Sequence, residues 1–223
     1  MIRYMFLFFV VVCSNAVAQQ AWDTIPNLPD HYRTKLEEFK GQKETTGKIL
    51  FLGNSITEAG DFRKLTGDTT VVNRGISGDI TFGVLNRLDE VIRFKPSKIF
   101  ILIGINDLSK RIPESVILQN MFAIINRIHS ESPKTVIFVQ SILPVNPTFR
   151  NFPKGYDVTG SVNMINTELS HLSKRMKYTF VDLNTQFRNV DGQLKPKYST
   201  DGLHLTPEGY QLWVRILKDG KHL

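Results

Sequence analysis

A chain of 223 residues that is 41% hydrophobic and 22% charged has the make-up of one folded domain, which excludes a disordered or low-complexity polymer. Its single cysteine, Cys13, excludes a disulfide framework and a paired-cysteine zinc site. The net charge of +7 comes from scattered residues such as Lys95, Lys110, Arg111, Lys174 and Lys195, without the dense aromatic-interleaved block of a nucleic-acid binder, so no nucleic-acid partner is expected.

At the N-terminus, Arg3 precedes an unbroken apolar run from Met5 to Val12, and Ala16-Val17-Ala18 follows as a small-x-small cleavage signal. This pattern predicts a signal peptide over residues 1–18, a mature chain beginning at Gln19, and export to the periplasm or the cell exterior. The run is too short to span a bilayer, so no membrane partner is expected after cleavage. Cys13 offers a lipid-anchor alternative, against which Val12 stands where such signals want Gly or Ala. Residues 19–223 are then a single domain, with Thr34 to Lys40 as a short helix over the edge of its core.

A regular alternation follows. Lys48 to Leu52, Thr70 to Asn73, Lys98 to Ile103, Thr135 to Gln140 and Tyr178 to Val181 are short apolar runs that read as buried strands. Between them, apolar residues recur at helical spacing: Phe82, Leu85, Leu88, Val91 and Ile92 within Asp79 to Phe94, then Val116, Ile117, Met121, Ile124, Ile125 and Ile128 after Pro113. Ile165, Leu169, Leu172 and Met176 mark a helix over Val162 to Met176, and Thr206-Pro207 opens a last helix running through Leu217. Strands alternating with amphipathic helices predict an α/β fold, a three-layer α/β/α sandwich around a central five-stranded parallel sheet.

In such a sheet, active groups gather at the carboxyl ends of the strands. Strand one ends in Gly53-Asn54-Ser55, strand two in Asn73-Arg74-Gly75-Ile76-Ser77-Gly78-Asp79, and strand three in Gly104-Ile105-Asn106-Asp107. Asp201-Gly202-Leu203-His204 stands just before the last helix. An acyl-transfer site needs a nucleophile, a base, a group to orient the base, and oxyanion donors. Ser55 offers the nucleophile and His204 the base. Asp201, three residues earlier on a turn, is spaced to reach the imidazole Nδ1–H. The backbone N–H groups of Ser55 and Gly75 and the side-chain amide of Asn106 offer an oxyanion hole. Taken alone, Ser55-Ile56-Thr57-Glu58 also fits a helix capping box, with Ser55 as a mere cap. Ser77 is a competing nucleophile that leaves Gly75 and Asn106 without a coherent role. The Gly-x-Ser-x-Gly elbow is absent; the dinucleotide fingerprint and the phosphate loop are absent too, so no cofactor is expected, and a metal at Asp201 and His204 would lack Cys and clustered His partners, so no metal is expected.

Gly53-Asn54-Ser55, Gly75, Gly104-x-Asn106-Asp107 and Asp201-x-x-His204 resemble, in order, the four blocks of the SGNH/GDSL hydrolases. The resemblance implies a flavodoxin-like fold and metal-free ester hydrolysis. It also implies a triad of Ser55, Asp201 and His204, and an oxyanion hole of Ser55, Gly75 and Asn106. One departure is visible, since Asn54 stands where the family has Asp. The stretch from Asn73 to Asp79 is similar to the bacterial acetylhydrolase and sialate O-acetylesterase-like subgroup, which implies a short acyl ester, acetyl above all, on a sugar. A lysophospholipase or thioesterase is the alternative enzyme, and a non-catalytic glycan-binding module on the same fold is the alternative of another class. The expected partner is a small-molecule or glycan ester.

Overall fold

The computed structural model describes residues 29–43 and 45–223. The expected signal peptide and Cys13 lie outside the described residues. In chain order the elements are α1 (Asp30–Lys40), β1 (Ile49–Gly53), α2 (Ser55–Glu58), α3 (Phe62–Thr66), β2 (Val71–Gly75), α4 (Thr81–Asn86), α5 (Leu88–Ile92) and β3 (Lys98–Leu102). There follow α6 (Ile105–Ser109), α7 (Glu114–Glu131), β4 (Val136–Gln140), α8 (Thr159–Met176), β5 (Thr179–Val181), α9 (Asn184–Phe187) and α10 (Pro207–Asp219).

The five strands form one parallel sheet in the order β2-β1-β3-β4-β5. The chain leaves β1 for β2 on one side, then crosses back to β3 on the other. The connections after β1 and β3 therefore diverge, opening a crevice at the carboxyl ends of these two strands. That topology fixes where a site can form.

Burial on both faces explains the apolar runs. Leu50, Phe51, Leu52, Ile99, Phe100, Ile101 and Leu102 are fully buried. Successive residues point to opposite faces, so a run without polar interruption needs cover on both sides. Register aligns Phe51 with Phe100 and Phe100 with Phe138, giving a phenylalanine ladder across three strands. The rings stack at 4.9 and 4.6 Å between centroids, Phe62 of α3 stacks on Phe51 at 4.0 Å, and Trp213 of α10 meets both edge-on. Such pairs add about 0.5–1.5 kcal/mol each beyond area burial. The fully buried Trp213 also donates its indole N–H to Gln140 Oε1 at 2.6 Å, tying α10 to the end of β4.

The expected helix over Asp79 to Phe94 is two short helices, broken at Arg87, which holds φ −106°, ψ 12° between them. The break turns the Arg87 side chain inward, where Nε meets Asp79 Oδ2 at 2.9 Å and Nη2 reaches the carbonyls of Arg74 and Gly53. Two helices start earlier than the apolar spacing suggests, α1 at Asp30 and α8 at Thr159, and α7 begins at Glu114 directly after Pro113. Thr206 caps α10 as expected, its hydroxyl accepting from Gly209 N at 3.2 Å, with Pro207 in the first turn.

Candidate active site

The mouth of the β1/β3 crevice is assembled from glycines that admit close backbone approach. A Cβ on Gly53 would lie 2.3 Å from Leu102 O of β3, so only glycine ends β1 there. The chain then turns directly into α2, and the cap is Asn54, whose Oδ1 accepts from Ile56 N at 3.0 Å. Ser55 is thus the first helical residue. Its hydroxyl is not spent on capping, and its N–H opens the helix with no carbonyl a turn earlier to receive it.

The capping-box alternative fails in its other half as well. Glu58 does not reach back along α2. Its Oε2 accepts from Ser77 N at 2.6 Å and from the Ser77 hydroxyl, while both carboxylate oxygens meet His31 Nε2 at 3.1 Å. Burial would raise this carboxyl, but the Ser77 and His31 hydrogen bonds outweigh it and hold it below its usual range. Ser77 is thereby locked into a clasp joining α1, α2 and the loop after β2.

The Asp201–His204 turn is shaped by its own carboxylate. Asp201 Oδ1 accepts from Leu203 N at 2.9 Å and His204 N at 2.7 Å, and Oδ2 faces His204 Nδ1 at 2.7 Å. Gly202 makes the turn with φ +88°, a conformation that suits a residue without a side chain, and a Cβ there would strike Asn146 O at 2.2 Å. Burial again raises the Asp201 carboxyl, and the hydrogen bonds from the His204 ring and backbone more than reverse it, so the group lies below the usual carboxylate range. On its far side His204 presents Nε2 to Ser55 Oγ at 3.1 Å. The three side chains thus form one line of hydrogen bonds, in which an Nδ1–H donated to Asp201 leaves Nε2 as acceptor for the serine hydroxyl.

Asn106 lies in the first turn of α6, entered through Gly104 at φ +124°. It is buried, with Nδ2 donating to Asp79 O at 2.9 Å and Oδ1 accepting from the Tyr156 hydroxyl at 2.7 Å. One amide N–H of Asn106 remains available. Behind it lie two buried carboxyls. Burial pushes Asp79 up to about 6, the Arg87 charge holding it below where burial alone would put it. Burial also pushes Asp107 up to about 6, against hydrogen bonds from Thr81.

Gly75 has a different part from the one expected of it. Its N–H already donates to Asn73 Oδ1 at 2.7 Å, which removes it as an oxyanion donor. Glycine is required at 75 because a Cβ would fall 2.1 Å from Glu58 N, so β2 could not pass α2. Three residues on, Gly78 takes φ +79° with open space where a Cβ would project. No hydrogen bond from its N–H is found among the described residues. Sequence reasoning missed both Gly78 and Tyr156. The first was visible as the second glycine of the same loop, whereas nothing local marked the second. Among the described residues, no group of three or more His, Cys, Asp or Glu is placed to hold a metal ion.

The model of the GDSL-like Lipase/Acylhydrolase family matches residues 51–212. A solved structure described as a platelet activating factor from Streptococcus pneumonia is 35% identical, over 85% of this chain and 90% of that one, with a TM-score of 0.76. A GDSL-like lipase from Bacteroides thetaiotaomicron is 24% identical, over 86% of this chain and 98% of that one, with a TM-score of 0.73. A catalytic mutant of an acetylxylan esterase from Geobacillus stearothermophilus is 19% identical, over 79% of this chain and 95% of that one, with a TM-score of 0.64. These last two show a shared fold. A comparison with curated proteins finds no match.

Proposed function

Because this chain belongs to the GDSL-like lipase/acylhydrolase family and is a carboxylic ester hydrolase, we propose that it removes acetyl groups from carbohydrates outside the cell. The observation that carries the mechanism is the 3.1 Å approach of His204 Nε2 to Ser55 Oγ, backed by the 2.7 Å contact of Nδ1 with Asp201. His204 takes the hydroxyl proton as Ser55 Oγ attacks the ester carbonyl. The carbonyl electron pair moves to oxygen, which is held by the Ser55 N–H, the Gly78 N–H and the free Asn106 amide N–H. Collapse breaks the ester C–O bond, and the leaving alkoxide receives the proton from His204. A water, deprotonated by His204, then attacks the acyl-serine, and the acid departs as Ser55 regains its proton. Asp201 stays ionised throughout, as its lowered carboxyl favours, and steadies the imidazolium.

Acetyl on sugar is supported by the Asn73 to Asp79 loop and by the acetylxylan esterase among the solved structures of the same fold. On p-nitrophenyl esters, kcat/KM is expected to be highest for acetate and to fall at least about tenfold by octanoate, as a site without room for a chain would give. Acetate release from acetylated glycans should accompany it. A maximum at octanoate, or activity confined to lysophospholipids or thioesters, would replace this substrate with the longer-acyl alternative. Export rests on the Met5 to Val12 run and the Ala16-Val17-Ala18 signal. Edman sequencing of the secreted protein is expected to begin at Gln19. A cytoplasmic product retaining Met1 would overturn export, and a product lipidated at Cys13 would overturn cleavage after Ala18.

A further inference from the structure

Between β4 and α8 runs a loop with no regular structure, from Ser141 to Val158. It is pinned at two points to the parts of the site that move charge. Near its start, Asn146 N–H donates to Gly202 O at 2.8 Å, in the middle of the Asp201–His204 turn. Phe152 lies against the same glycine, where a Cβ would fall 2.9 Å from its ring. Near its end, Gly155 at φ +85° brings the chain close to Ser109 O at the end of α6, a Cβ there falling 3.3 Å from that oxygen. The next residue, Tyr156, packs its ring on the core and donates a hydrogen bond from its hydroxyl to Asn106 Oδ1 at 2.7 Å. A loop held at both ends is a strap, and the side-chain contact near its end falls on the amide read as an oxyanion donor.

We infer that Tyr156 is a positioning residue for ester hydrolysis, its hydroxyl holding the Asn106 amide so that one N–H points at the developing oxyanion. The inference rests on the reading of Asn106 as an oxyanion donor. An Asn side chain turns about two bonds, and the direction of its free N–H is fixed only when other contacts fix the amide plane. Asp79 O holds Asn106 from the nitrogen end, and Tyr156 holds it from the oxygen end. With both in place, the remaining N–H has one direction. A hydrogen bond received at Oδ1 also draws electron density from nitrogen, making that N–H a stronger donor. Oxyanion donors act through preorganisation, so a loosened amide stabilises the transition state less while ground-state binding is little changed.

Tyr156→Phe removes only the hydroxyl and keeps the ring in its packing. With p-nitrophenyl acetate, this variant is expected to lose about tenfold in kcat with KM nearly unchanged, the scale of one lost orienting hydrogen bond. Asn106→Ala is expected to lose about 10²-fold in kcat. The double variant should match Asn106→Ala alone, because the hydroxyl has nothing left to position. Wild-type kcat in Tyr156→Phe would overturn the inference, as would a tenfold loss that persists in the Asn106→Ala background, since the hydroxyl would then act elsewhere. Wild-type kcat in Asn106→Ala would instead overturn the oxyanion reading of Asn106 itself, whatever Tyr156→Phe does.

Discussion

Ser55→Ala is expected to lower kcat on p-nitrophenyl acetate by about 10⁴-fold or more while leaving a folded protein. The expectation follows from what the hydroxyl does and does not do. It meets His204 Nε2 at 3.1 Å, and no other hydrogen bond engages it among the described residues. The cap of α2 belongs to Asn54, so alanine at 55 costs the helix no cap and improves its propensity. Melting temperature should therefore stay close to wild type, separating lost chemistry from lost structure. His204→Ala should lose a similar factor, and the double variant little more than either alone, because the pair works as one unit. A folded Ser55→Ala variant that still released acetate near the wild-type rate would remove Ser55 as nucleophile, and Ser77, clasped by Glu58, would have to be reconsidered.

Much of this was legible in the sequence because strands buried on both faces leave uninterrupted apolar runs, and Ile49 to Leu52, Ile99 to Leu102 and Ile137 to Val139 are such runs. The Asp201–His204 spacing was legible for a related reason, as a turn built by its own carboxylate needs both members close in sequence. Helices of four or five residues left little trace, α2 showing only as the capping pattern at Ser55 and α5 only as part of one longer expected helix. α2, α3, α6 and α9 are too short to show a period, so three connections that carry or support the site looked like loops. The choice between Gly75 and Gly78 was hidden because it depends on strand register. Gly75 pairs with Gly53 at the end of the β2–β1 ladder, and its N–H turns back to Asn73, a fact of the paired sheet and not of the glycine. Tyr156 was hidden more deeply, since its partner is fifty residues away and its own surroundings carry no pattern.

Arg87→Met is expected to be the most destabilising single change at the base of the site, by about 3–5 kcal/mol at pH 8. The guanidinium is buried, paired with Asp79 at 2.9 Å and bonded to the carbonyls of Arg74 and Gly53. Methionine fills similar volume but leaves a buried carboxylate without its counterion and takes the guanidinium donor from the carbonyls of Arg74 and Gly53, of which Gly53 O keeps the Ile76 N–H at 3.0 Å. The loss should shrink as pH falls. Burial has already raised Asp79 to about 6 with Arg87 present, and removing a charge that lowers it sends it higher. A carboxyl raised above its unfolded value gives stability that is full below the unfolded pKa and is lost as pH rises through the folded one. At pH 5 Asp79 is therefore largely neutral in the variant and needs no partner, whereas at pH 8 the variant must either bury a bare charge or hold a proton against the solvent. Urea denaturation at the two pH values should show the wild-type to variant gap at pH 5 clearly smaller than at pH 8. Equal gaps would mean that Asp79 is not the group Arg87 neutralises. The change should also reach the chemistry, since Asp79 O receives the Asn106 amide, and a carboxyl that shifts at 79 disturbs the backbone on which that amide rests.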